Sequence, residues 1–397
     1  MFSLCLIGCS GGSMQLNGFE GPHHKLVPAP GATRLLVFFA GTNKTNGKFD
    51  FWRVGNAQAD HKLFLNNGKN EWYQQGIPGF AATVVDIAKK IESIAISLGA
   101  VDIVLHGVSM GGYAAALFAK LIGCRAMAFG FDSRLRAPHT RSAQISKSVE
   151  LIFPDLSVVA SQSSTSILHI SGEVDAMDLK TARHLLGSPG VETLTIRGVG
   201  HGGAPFIDLK YGLSEYVRRF AVGERLPEIL ERGRAVNSAE LVDSIFDLHV
   251  LAKAKDWRAV EAQASIVLEL DPSHETAHYW YGSALLENKD AKRAISHLAA
   301  AVASAPHFTN AQYRLARAYM AVKDHERAKF HMYEHARLSP DSALALMFIS
   351  DLLRTEGRID ESDDFLLKAY RLSPDNKSVL ARIEKYALVI SEESASE

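Results

Sequence analysis

Through the first 220 residues, short apolar runs alternate with longer stretches of helical periodicity. Leu35–Phe39 is uninterrupted apolar sequence, the pattern of a strand buried on both faces. Val101–His106, Ala126–Gly130, Ser166–Ser171 and Val191–Ile196 read as further strands, with His61–Leu65 after the first. Between them, Gly112–Ile122 is an alanine-rich stretch suited to a helix packed close on a sheet, and Met177–Leu186 is helix-like. This alternation predicts an α/β domain with a mostly parallel sheet and flanking helices over residues 1–222. The character changes after Phe220. Residues 223–240 are polar and charged and predict a linker, and no strand-like run follows.

The second half is punctuated by prolines at 272, 306, 340 and 374, each 34 residues after the last. Small residues Gly282, Ala294, Ala301, Ala316 and Ala328 recur inside these periods, where two helices must approach closely, and Ser350 and Ser362 take that place in the last period. A 34-residue period with a closing proline resembles a tetratricopeptide array. The resemblance implies an all-α superhelix over 241–390, with three well-formed repeats, a degenerate first one, a cap helix at 377–390 and a frayed acidic tail at 391–397. It also implies a concave surface for a protein partner or a homodimer. Most repeat aromatics (Trp280, Tyr281, Tyr313, Tyr319, Phe330, Tyr333, Phe365, Tyr370) are expected between helices.

The chemistry of the first half centres on Gly107-Val108-Ser109-Met110-Gly111, set between a strand-like run and the alanine-rich helix. A serine at so tight a turn needs glycine on both sides, and the helix start behind it favours a developing oxyanion. Downstream, the strand Ser166–Ser171 leads into Gly172-Glu173-Val174-Asp175, which makes Asp175 the expected acid, with Asp178 as the alternative. The strand Val191–Ile196 leads into Gly198-Val199-Gly200-His201, which makes His201 the expected base. His169 and His184 are rivals, but one falls in a strand and the other in a helix. The run Leu35–Phe39 ends in Ala40-Gly41-Thr42-Asn43. Oxyanion donors are therefore expected from the N–H of Met110 and from Thr42, with Gly41 and Asn43 as alternatives.

Taken together, these motifs resemble the α/β-hydrolase superfamily. Ala40 departs from that pattern, since many relatives carry histidine there, and this leaves the second oxyanion donor open. The resemblance implies an acyl-enzyme on Ser109, an ester, thioester or amide substrate, and neither metal nor cofactor. Residues 131–165 fall where this fold inserts lids, and their basic members include Arg134, Arg136, His139, Arg141 and Lys147. Asn43, Trp52, Arg134 and Arg136 are candidate substrate-binding residues, Arg134 and Arg136 for an anionic group. Trp52, Trp72 and Tyr73 are candidates for lining a pocket or for the core.

Composition narrows the remaining choices. The 397 residues carry 43 basic and 44 acidic side chains, so no global field points to nucleic acid or membrane. Cys5, Cys9 and Cys124 are odd in number and lack metal spacing, which suits free thiols in a reducing compartment. Leu6-Ile7-Gly8-Cys9 resembles a lipoprotein cleavage site, but no Lys or Arg precedes it and the apolar stretch is short. Phe2–Ile7 is instead expected to be a strand paired with Lys25–Val27, and the protein is expected in the cytoplasm without a membrane span. The leading functional expectation is a serine esterase with a docking or self-association array. An O-acyltransferase, taking acetyl-CoA or another donor and passing its acyl group to a sugar hydroxyl of a bacterial surface or capsular glycan, uses the same triad. A catalytically dead scaffold acting as a binding module is the third.

Overall fold

The computed structural model describes residues 19–388. The expected strand Phe2–Ile7, Cys5, Cys9, the last residues of the expected cap helix and the acidic tail lie outside them. Within the described residues the chain divides into two compact units, 19–196 with 200–237, and 197–199 with 238–388.

The first unit is built on one sheet of β1 (Glu20–Gly21), β2 (His24–Val27), β3 (Arg34–Phe39), β4 (His61–Leu65), β5 (Asp102–Val108), β6 (Arg125–Phe129), β7 (Ser166–Gly172) and β8 (Val191–Ile196). Its spatial order is β1-β2-β4-β3-β5-β6-β7-β8. β3 to β8 run parallel, and the antiparallel β1 and β2 close the edge beside β4. Six helices accompany it: α1 (Trp52–Asn56), α2 (Val84–Ser97), α3 (Met110–Ile122), α4 (Ala176–Leu185), α5 (Ala204–Tyr211) and α6 (Leu213–Val222). The strand order reverses between β3 and β5, since the chain leaves β3 for β4 on one side and returns to β5 on the other. In open α/β sheets the crevice beyond the carboxyl ends of such strands is where ligands bind. Register places Phe39 beside Gly107 and Val108 beside Phe129, so the loops after β3, β5 and β6 converge there.

The alanines of α3 serve close approach. Ala114, Ala115, Ala116 and Ala119 are buried against the sheet, in one apolar cluster with Leu35, Val37, Phe39, Leu105 and the buried face of α2. Trp72 and Tyr73 belong to that cluster, so they are core residues; the Tyr73 hydroxyl donates to the Ala40 carbonyl at 2.9 Å. The segment 131–165 holds a single 3-10 turn at Arg141–Gln144 and sends Leu135, Ile145 and Leu156 into the same core.

The expected linker at 223–240 is in large part a piece of the first unit. Buried Glu173 accepts the Thr195 hydroxyl at 2.8 Å and the Ala235 N–H at 2.9 Å. Gly233 lies so close that a β-carbon there would stand 2.1 Å from the Glu173 carboxyl carbon. A buried carboxylate needs such donors, and the polar composition of this stretch supplies them instead of flexibility.

In the second unit, eight helices form four antiparallel pairs: α7 (Ala239–Ala254) with α8 (Trp257–Leu270), α9 (Glu275–Glu287) with α10 (Ala291–Ser304), α11 (Thr309–Ala321) with α12 (His325–Leu338), and α13 (Ala343–Thr355) with α14 (Ile359–Leu372). α15 (Lys377–Tyr386) follows. The degenerate first period thus forms a complete pair. Between the helices of each pair, Lys255, Lys289, Lys323 and Gly357 all take positive φ, again 34 residues apart. Asp256, Asp290 and Asp324 then cap the second helix, and Arg358 breaks the series with no side-chain cap. Gly282 meets α10 directly, where a β-carbon would lie 2.7 Å from Leu298 Cγ. The serines at 350 and 362 are buried and bonded to each other at 2.9 Å. Phe330 and Tyr333 depart from the expected inter-helix placement; Phe330 is 61% exposed and Tyr333 37%. No helix of the described residues is long and apolar enough to cross a membrane.

Two buried histidines in the sheet core are expected to make the first unit acid-sensitive. His106 of β5 stacks on Phe38 of β3, and His169 of β7 packs on Phe131; burial pushes both down to about 3. The unfolded chain, with ordinary values near 6.5, binds these protons first, so stability falls as pH drops below about 6.5 and the loss levels off near 3. Between pH 7 and pH 5 each ring is expected to remove about 2 kcal/mol. Denaturant unfolding of His106→Phe and His169→Phe across that range should show a correspondingly flatter pH dependence than the parent. An unchanged slope would contradict the assignment.

Candidate functional site

Ser109 alone makes the turn from β5 into α3, at φ 58° and ψ −124°. A non-glycine residue held there carries about 1–3 kcal/mol of strain, so the surroundings must fix it. They do so through backbone. The Ser109 N–H donates to the carbonyls of Phe129 at 3.0 Å and Gly130 at 2.9 Å, and its own carbonyl accepts the Tyr113 N–H. A β-carbon at Gly107 would stand 2.0 Å from the Gly111 carbonyl oxygen, and one at Gly111 would stand 2.1 Å from the Phe39 carbonyl oxygen. At Gly112 it would meet the Phe129 carbonyl oxygen at 2.7 Å. Three glycines therefore let the first turn of α3 press on the ends of β3, β5 and β6.

The loop after β3 comes up beside this turn. A β-carbon built on Gly41 would lie 3.7 Å from Ser109 Cβ. The Gly41 N–H is already given to Asp50 at 2.8 Å, and Asp50 is held in turn by Lys44 at 2.7 Å. The Asn43 N–H is given to the Asn70 side chain at 2.9 Å, while Asn70 donates back to Asn43 Oδ1 at 2.7 Å. Of the three candidate loop amides, only Thr42's has no acceptor among the described residues. The Met110 N–H at the start of α3 has none there either.

His201 reaches the same place. Gly202 packs on Val108, with a β-carbon there 3.0 Å from Val108 Cγ2. Gly130, whose carbonyl holds Ser109, lies against Gly202 and Asp178. The ring is held through Nδ1, which stands 2.9 and 3.1 Å from the two Asp178 carboxylate oxygens. The Gly202 N–H also donates to Asp178 at 3.0 Å. His201 Nε2 is buried and makes no hydrogen bond among the described residues, to Ser109 or to any other group.

The carboxylate on His201 is therefore Asp178, not the expected Asp175. Asp175 is the N-cap of α4, accepting the N–H groups of Met177 and Asp178 at 3.0 Å each, and it pairs with Arg141. A cap carboxylate is drawn back onto the first turn of its own helix. Asp178, three residues on, is left to face the histidine loop. The two carboxyls differ accordingly. Burial first, and then Asp175 beside it, push Asp178 up from the ordinary carboxylate range, against the pull of His201 and Arg141. Burial also opposes ionisation of Asp175, but Arg141 and the helix amide hold it below that range.

The other expected residues are placed elsewhere. Arg134 pairs with Asp155 at 2.8 Å, and Arg136 donates to the carbonyls of Ser146 and Val149, so both brace their own segment. Trp52 packs on Phe64 of β4, with Lys25 over its ring, and is 42% exposed. Asn43 is committed to its pair with Asn70. His169 lies in the core, and His184 bonds to Ser133 at 2.8 Å. Arg141, named only among the basic residues of its segment, is the one that reaches the site. One carboxylate oxygen each of Asp175 and Asp178 and one ring nitrogen of His201 lie within 4.8 Å of one another, and the Arg141 guanidinium pairs with both carboxylates.

Tetratricopeptide-repeat family models match residues 249–307, 285–332 and 343–376, so the C-terminal half of the chain contains tetratricopeptide repeats. Solved structures similar to part of the chain include "MamA 41-end from Desulfovibrio magneticus RS-1", at 25% identity over 33% of this chain and 73% of that one, TM-score 0.31. Another, "Crystal structure of MamA", has 17% identity over 37% of this chain and 87% of that one, TM-score 0.32. Among curated proteins none matches the chain.

Because the Gly111 contact is with backbone, it has no side chain to yield. Gly111→Ala is expected to destabilise the first unit by about 3 kcal/mol or more, or to leave it insoluble. Gly200→Ala, at an open position with ordinary backbone φ, is the control and should shift the thermal midpoint far less. Equal midpoints for the two variants would contradict the packing described.

Proposed function

We propose that the first unit is a serine acyl-ester hydrolase of the α/β-hydrolase type. Ser109 is the nucleophile, His201 the general base, Asp178 the carboxylate that orients it, and the amides of Met110 and Thr42 the oxyanion donors. The observation that carries this reading is the conjunction of a strained Ser109 with a histidine loop packed on Val108 and braced through Nδ1 by a buried carboxylate. A hydroxyl is a poor nucleophile until a neighbouring imidazole takes its proton. Asp178 fixes the proton on Nδ1, which leaves Nε2 as the acceptor. The Ser109 oxygen attacks the acyl carbonyl as its proton passes to Nε2. The tetrahedral oxyanion meets the two backbone N–H groups, which can each be worth about 3 kcal/mol. Collapse expels the alcohol, protonated by His201, and leaves an acyl-Ser109 ester. Water then repeats the sequence and releases the acid. The repeats, on this reading, bind a protein partner along their helical surface.

The reading separates the two aspartates. With a p-nitrophenyl ester, Ser109→Ala is expected to abolish turnover and His201→Ala to lose roughly 10³–10⁶-fold. Asp178→Asn should lose roughly 10³–10⁴-fold in kcat, while Asp175→Asn, which keeps a capping side chain, should lose less than about tenfold. A larger loss at Asp175 than at Asp178 would reverse the assignment. Full activity in Ser109→Ala would end the reading altogether.

A further inference from the structure

We infer that Arg141 is a positioning residue for this site: with Asp175 it sets the net charge against which the His201 ring takes up a proton. The inference rests on the serine-hydrolase reading above. A general base must be neutral at rest and charged in the transition state, so the field at the ring has to favour the imidazolium only moderately. One carboxylate provides that. This site has two, each with a carboxylate oxygen within 4.8 Å of the other's and of a ring nitrogen. Two uncompensated negative charges there would favour the imidazolium over the neutral ring that a base requires.

Arg141 offsets one of them. Its guanidinium bonds Asp175 and lies 3.3 Å from Asp178, so the triplet carries a net charge of −1, as a lone aspartate would. The charged groups acting on this triplet come from several elements: Asp175 caps α4, Asp178 lies within it, Arg141 lies in the 3-10 turn, His201 follows β8, and Asp132, in the loop after β6, acts on Arg141. Asp132 acts on Arg141 and also accepts the Ser142 N–H at 2.6 Å, which fixes the turn that carries the guanidinium. Asp175 caps the helix with its carboxylate. Arg141 makes that cap compatible with a histidine base nearby.

The test is the pH dependence of fluorophosphonate labelling of the full chain, whose acidic limb reports proton loss from the base. Arg141→Gln is expected to move the limb up by roughly one pH unit or more, the size of one unit charge removed at this range. Asp175→Asn should move it down. The double variant should return it close to the parent, and Arg141→Lys should keep it there. A structural role alone predicts no such opposition of sign. Limbs that coincide among folded variants, or that move the same way in both single variants, would overturn the inference. Should Arg141→Gln fail to fold by circular dichroism, Asp175→Asn and the double variant carry the same sign test. If the parent itself is never labelled, the hydrolase reading has failed. Nuclear magnetic resonance titration of the His201 ring in the same variants then tests the charge argument alone, with the same shifts expected and coincident midpoints overturning it.

Discussion

Everything at the candidate site depends on a contact between backbones. The carbonyl of Gly111 occupies the place where a side chain at 107 would begin, and the carbonyl of Phe39 occupies the corresponding place at 111. With no β-carbons between them, α3 starts directly on the strand ends, and Ser109 is left as the only residue in the turn. Its unfavourable backbone angles persist because its N–H is held by two carbonyls from the end of β6 and its carbonyl by α3. The reversal of strand order between β3 and β5 then brings the Gly41–Asn43 loop beside it. Strain in one residue is thus supported by a whole sheet edge.

Around that fixed point, polar groups are divided with little overlap. Asp50 and Asn70 take the amides on either side of Thr42, and Thr42's own amide is left. Asp175 takes the first amides of α4, and Asp178 is left for His201. Glu173, from the same Gly-Glu-x-Asp sequence, takes Thr195 and Ala235 and stitches the polar stretch after α6 onto the unit. The buried carboxylates Glu173 and Asp178 are thereby given hydrogen-bond partners, as burial demands, and each has a separate task.

Much of this was legible in the chain. Apolar runs such as Leu35–Phe39 and the 34-residue spacing of four prolines are periodic signals, and both gave the right elements. The glycines at 107 and 111 announced the turn because only glycine tolerates such contacts. The choice between Asp175 and Asp178 was not legible to the same degree. Both follow the strand and both suit the start of a helix, and only the direction of each side chain separates them. An acid at the cap followed three residues later by another acid is itself a capping pattern, and that was the available hint. Arg141 gave no periodic signal, since its role comes from a fold of the 131–165 segment that sequence spacing does not fix. The polar residues of 223–240 read as a linker because the partner that needs them, Glu173, is 62 residues from Ala235 in the chain.

The account stands on Ser109 being a reactive nucleophile and not a strained turn residue. Treating the full chain with a fluorophosphonate and mapping the adduct by peptide mass spectrometry tests this most directly. One phosphonyl group on the peptide containing Ser109, absent from Ser109→Ala, is the predicted result. No adduct on the folded parent, or the same adduct in Ser109→Ala, would contradict it.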